Sequence, residues 1–69
     1  MGLKEIREGR AKAARAEAAR YSQQALAEVL GVTPARVSQM EADPGSIRLE
    51  QAQRLAEYLG TTPEALLRG

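Results

Sequence analysis

The stretch Gln23-Gln-Ala-Leu-Ala-Glu-Val-Leu-Gly-Val-Thr-Pro-Ala-Arg-Val-Ser-Gln-Met-Glu41 decides the fold. It reads as two short helices joined by a tight turn. Ser22, just ahead of it, suits the N-cap of the first helix, where its hydroxyl accepts from an otherwise orphaned backbone N–H. Leu26, Ala27 and Leu30 form one apolar stripe. Gly31 follows the last periodic residue and suits a left-handed stop. Thr33 then restarts the helix as N-cap, with Pro34 at the first helical position. On this second helix Val37 and Met40 share an inward face with the turn residue Val32. Ala35 and Gln39 lie opposite, flanked by Arg36 and Ser38. The outer face is therefore small, polar and supplied with hydrogen-bonding groups. Ala27 is small enough to let two helices cross closely.

These residues resemble the helix-turn-helix of the phage repressor/Cro, or XRE-like, family. Its pattern is met by Ser22-Gln23-x-x-Leu26-Ala27, by Leu30-Gly31-Val32-Thr33 and by Val37-Ser38-Gln39-Met40-Glu41. The resemblance continues through Leu49, Ala52, Leu55, Ala56, Tyr58, Leu59 and Gly60 into Thr61-Thr-Pro-Glu-Ala-Leu-Leu67, and so covers about Ala11 to Leu67. It implies an all-α fold: a compact five-helix repressor-like bundle with an elongated first helix. It also implies a sequence-specific regulator of transcription that binds double-stranded DNA.

The composition fits. Sixty-nine residues make one domain, 1–69, near the lower size at which a single core sustains a fold. With no Phe or Trp, the core must come from Leu, Val, Ile, Met and alanine, a helix-forming set. The absence of cysteine and histidine argues against disulfides, thiolate metal sites and the commonest general base. There is no phosphate-binding glycine loop and no clustered pair of carboxylates. We therefore expect no enzyme, no cofactor and no metal. No apolar run is long enough to span a membrane, and a cytoplasmic protein, nucleoid-associated when bound to DNA, is expected. The net charge of +1 is divided unevenly, +3 over residues 1–22 and −2 over 23–69, a moderate electrostatic pointer to a polyanionic partner.

Along the chain, Met1 to about Ala19 reads as one long helix with Leu3 and Ile6 inward. Gly9 weakens it, so residues 1–9 are either a helix extension or a loose basic arm. Relative to the family, this helix and its exit loop read as one residue longer, which turns Ala11 and Ala14 toward the core. Tyr21 closes the loop as a hydrophobic staple. Residues 42–46 form a turn by composition. Asp43 stands where the family often carries groups that approach phosphate, an unfavourable replacement. Ser46 is expected to start helix 4, with Leu49, Ala52, Leu55, Ala56 and Leu59 on its apolar stripe. Thr62-Pro63-Glu64 opens a last short helix.

The resemblance places the recognition helix, 34–41, in the major groove, with the preceding helix across the backbone. Gln39 is the first candidate for reading bases, since its amide matches adenine N6 and N7. Arg36 reaches a guanine or, more readily, a phosphate. Pro34 and Ala35 offer apolar contact to a thymine methyl, and Ser38 is short and ambiguous. Gln23 and Thr33, at helix starts, are phosphate candidates, although a plain N-cap role serves Thr33 equally well. Arg48 and Arg20 are lesser ones. Glu41, at the margin of the buried face, needs a partner. In the family an arginine of helix 1 supplies it, and with one inserted residue that arginine is Arg15. Family likeness also implies a homodimer, at least on DNA, and one of Leu66 and Leu67 is left to face a partner subunit. An antitoxin or adaptor whose main partner is another protein, such as a toxin, is the alternative. A purely structural interaction module is a third.

Overall fold

Each helix of the protein begins where a side chain accepts from its backbone, and two of the helices end on glycine. The computed structural model describes residues 1–68 and contains α1 (Leu3–Ala14), α2 (Gln23–Leu30), α3 (Pro34–Ala42), α4 (Leu49–Leu59) and α5 (Pro63–Leu67). Short 3-10 segments, Arg15–Tyr21 and Pro44–Ser46, follow α1 and α3. Ser22, Thr33 and Thr62 accept from the N–H groups of Ala25, Arg36 and Ala65 at 3.0, 3.3 and 3.3 Å. Gly31 and Gly60 end α2 and α4 with φ of 70° and 69°, a conformation in which a Cβ would be strained. The result is the expected all-helical bundle.

The core is apolar throughout. Leu26, Ala27, Val37, Met40, Ala52, Leu55, Ala56, Leu59 and Leu66 are buried, joined from the N-terminal side by Leu3 and Ile6. Fully burying one of the larger side chains is worth ~1.5–3 kcal/mol. The alanines matter for a different reason: Ala27 on α2 and Ala52 and Ala56 on α4 allow those helices to lie close. The Cα radius of gyration, 10.6 Å, is that of a tightly packed chain of this length.

The first helix departs from expectation. It does not run to Ala19 but stops at Ala14, and Arg15 turns the chain with φ 54° and ψ −108°. Helix propensity in the alanine run yields to tertiary contact here. A straight helix from Arg7 to Tyr21 would separate those residues by ~21 Å, yet the Arg7 guanidinium donates to the Tyr21 carbonyl at 3.2 Å. Folding back also brings the Tyr21 and Tyr58 rings to 5.9 Å and lets the Tyr58 hydroxyl donate to the Arg20 carbonyl at 2.7 Å. Ala11 and Ala14 are consequently only half-buried, and Leu3 and Ile6 supply the helix's core contacts.

Residues 3–9 are helical and docked. Gly2 donates to the Glu5 carboxylate at 2.9 Å and is pressed against the C-terminal strand of backbone, where a Cβ would lie 2.5 Å from the Arg68 carbonyl oxygen. Glu5 is held below the ordinary glutamate pKa, chiefly because it accepts from the Gly2 N–H. Arg10 donates to the Leu59 carbonyl at 2.8 Å and the Gly60 carbonyl at 3.4 Å, closing the C-terminal end of α4.

Two further expectations at α4 need correction. Ser46 does not start the helix; it lies in the 3-10 segment, its hydroxyl donating to the Asp43 carbonyl at 2.7 Å. Arg48 is the N-cap, and its N–H donates to the Gln51 side chain at 3.2 Å. Leu49 is 62% exposed, because Ile47, in extended backbone just ahead of the helix, occupies the core position instead. On α5, Leu66 is buried and Leu67 is 39% exposed, the division that so short a helix imposes.

Candidate nucleic-acid interface

Helices α2 and α3 pack against each other across the turn Gly31-Val32-Thr33, with Val37 and Met40 fully buried on the inner side of α3. This leaves Pro34, Ala35, Ser38, Gln39 and Ala42 exposed on the outer side. Thr33, capping α3, and Gln24, in the first turn of α2, are exposed beside them. The outer surface thus combines two long amides, two hydroxyls and a small apolar edge. It suits the floor of a DNA groove, where an amide reads a base edge and small residues allow close approach.

Not every candidate side chain is free to read bases. Arg36 is folded inward: it donates to the Ser46 carbonyl at 2.6 Å, to Gln51 at 3.1 Å and to the Ser46 hydroxyl at 3.2 Å. One of its nitrogens also lies 3.3 Å from Gln39 Oε1, steadying the amide. Arg36 is therefore placed as a brace between α3 and the α3–α4 connection. Gln23 likewise turns inward, donating to Glu41 Oε1 at 3.0 Å. Arg20 lies against Glu17 at 3.3 Å in an exposed pair, of the kind worth ~0–1 kcal/mol. Arg48 is exposed at the start of α4.

Glu41 is the anchor of the recognition helix, but its partner is Arg7, not Arg15. The Glu41 carboxylate accepts from Arg7 Nε, from Arg7 Nη2 at 3.2 Å and from Gln23 Nε2. The side chains are 12% and 4% exposed. Arg15 sits in the kink and is exposed. The expected register failed because an alanine run offers similar faces at many shifts. The signal that identifies Arg7 is its place directly after Ile6, one turn past Leu3: these are the large apolar side chains of the first twenty residues beyond Met1.

Between the first turns of α1, the start of α2 and the flank of α3 lies an open groove of about 720 Å³. Lys4, Glu8, Gln24, Pro34 and Ser38 line it above the Arg7–Glu41 pair. Among the described residues, no group of three or more His, Cys, Asp or Glu lies together as a metal site would require. No helix among the described residues is long and apolar enough to cross a membrane.

A capped, tightly crossed helix pair with an unencumbered outer face is the architecture of a helix-turn-helix domain. The profile of the helix-turn-helix family of phage repressor/Cro (XRE) type matches residues 12–66, and the chain belongs to that family of DNA-binding regulators. The match begins beyond Leu3, Ile6 and Arg7, the residues through which α1 reaches the core and Glu41. No curated protein and no solved structure matches the chain.

Proposed function

We propose that this protein is a small sequence-specific transcriptional repressor that binds a two-fold operator as a homodimer. The observation that carries the reading is the two-sided character of α3. Its inner side is fixed by Val37, Met40 and the Arg7–Glu41 pair, while Gln39, Ser38, Ala35 and Pro34 are exposed outside. In this reading Gln39 recognises an adenine, and Pro34 and Ala35 meet thymine methyls. Thr33 and the N–H groups at the start of α2 position the backbone. Dimerisation follows from the small number of contacts one domain offers, and half-sites lie ~34 Å apart. The exposed Leu67 fits a contact with the second subunit. The protein works in the cytoplasm, on the nucleoid.

Selection of bound duplexes from a random pool, followed by footprinting, tests this directly. A palindromic site protected by two subunits is the expected result. Gln39→Ala should cost ~1–3 kcal/mol on that site and relax preference at one base pair per half-site. An unchanged preference profile removes Gln39 as the reader. Failure to enrich any duplex, together with co-purification of a neighbouring gene product, favours the antitoxin or adaptor reading. The alanine-rich segment Arg15–Arg20, mostly exposed and contributing no buried residue, is the surface available to such a partner.

A further inference from the structure

We infer that Lys4, in the second residue of α1, is a phosphate-binding residue that clamps the DNA backbone against the recognition helix; the inference rests on the DNA-binding reading above. It begins with the fate of the basic side chains around α3. Arg36 is committed to Ser46 and Gln51, and Arg7 to Glu41 and the Tyr21 carbonyl. Arg10 is committed to the end of α4, and Arg20 faces Glu17. Lys12, Arg15, Arg48, Arg54 and Arg68 are exposed, but none lines the groove that opens onto α3. Lys4 does, in company with Gln24, Pro34 and Ser38, and it forms no ion pair among the described residues.

The chemistry of that groove fits a phosphodiester strand. Its rim is polar, with an ammonium on one side and an amide and a hydroxyl on the other. The Glu41 charge beneath is matched by Arg7. The opposing group is Glu8, one turn after Lys4 on the same helix and also on the groove. It is not within salt-bridge distance of Lys4 and repels a phosphate placed there, so it limits affinity without occupying the ammonium. A lysine suits this task, since a flexible point charge holds a phosphate without demanding a fixed orientation. Such a contact positions the duplex and carries no sequence information. The docked first turn of α1 therefore has a part in binding, beyond closing the core.

The test measures affinity against salt concentration for wild type, Lys4→Gln, Glu8→Gln and Arg54→Gln, on a mixed-sequence duplex and on the duplex enriched by selection. Arg54 lies on α4 away from the groove, so its variant removes the same charge without the contact. Lys4→Gln should weaken both duplexes several-fold and reduce the steepness of log K against log salt by ~0.9 for each bound subunit. Glu8→Gln should strengthen both, and Arg54→Gln should keep the wild-type slope. Matched thermal unfolding of the variants shows that each is folded. A wild-type slope for Lys4→Gln overturns the inference, as does a loss confined to one base pair of the site. If wild type binds neither duplex, the DNA reading itself fails, a result distinct from either.

Discussion

Replacing Arg7 by alanine should be the most damaging single change to a polar side chain in this protein. Glu41 accepts from two Arg7 nitrogens and from Gln23, and its side chain is only 4% exposed. Without the guanidinium, a nearly buried carboxylate keeps one of those donors, and the Tyr21 carbonyl loses the bond from Arg7 as well. Breaking one side of a buried pair costs ~3–5 kcal/mol. The groove beside Arg7 admits water, which argues for the lower end, about 3 kcal/mol. A chain of this length has a total stability of ~3–10 kcal/mol, so the variant should lose roughly a third or more of it. Arg7→Lys keeps the charge but loses the two-pronged contact, at about 1 kcal/mol. Urea unfolding followed by circular dichroism, with Arg15→Ala as control within ~0.5 kcal/mol of wild type, gives the comparison. A double-mutant cycle between Arg7 and Glu41 should show coupling well above ~0.5 kcal/mol. If Arg7→Ala unfolds no earlier than Arg15→Ala, the placement of α1 is wrong.

The kink offers a change in the opposite direction. Arg15 holds φ at 54° without being glycine, so Arg15→Gly should raise stability by up to ~1 kcal/mol; a loss of ~1 kcal/mol in the same melt, as glycine causes within a regular helix, would refute the kink. Gly2→Ala forces a methyl toward the Arg68 carbonyl and should cost ~1–3 kcal/mol by overpacking, whereas an unchanged melting temperature would mean that the first turn is not docked. Glu5 is the group to follow with pH: its carboxyl is held low when folded, so its stabilising bond to Gly2 is present above the unfolded glutamate value and lost as pH falls through the folded one. The protection of amides in the first turn of α1, taken relative to the intrinsic exchange rate at each pH, should fall through that acid range in wild type, and Glu5→Gln should remove the response; identical profiles would contradict it.

The parts of the fold that could be read from sequence are those set by neighbours along the chain. Ser22, Thr33 and Thr62 announce helix starts because a cap acts within three residues, and Gly31 and Gly60 announce stops for the same reason. Val37 and Met40 follow from periodicity once α3 is fixed. The contacts of Arg36 and Gln23, and the pairing of Glu41 with Arg7 rather than Arg15, are not legible because they depend on residues distant in sequence. Arg36 looks like a reader until Ser46 and Gln51 come beneath it, and Gln23 looks like a phosphate ligand until Glu41 claims its amide. Leu49 continues the α4 stripe in one dimension, but Ile47 takes its space in three. The family profile enters the chain at residue 12, inside the alanine run.

The contact between Gly2 and the Arg68 carbonyl has a topological consequence. Backbone from the two ends of the described chain meets there, so the polypeptide runs almost as a closed ring. A short peptide joining those ends, with a new opening in the exposed segment Arg15–Tyr21, would turn α1 into the helix that follows α5. The Arg7–Glu41 contact would still span a long separation, but the α4 carbonyls that Arg10 now reaches across forty-nine and fifty positions would lie at roughly half that distance along the chain. Such a permutant should keep the bundle and its recognition surface, since no buried side chain lies in the segment that is cut. It should also fold more slowly, because the contacts of α1 with Arg15–Tyr21, local in the native order, would become long-range ones.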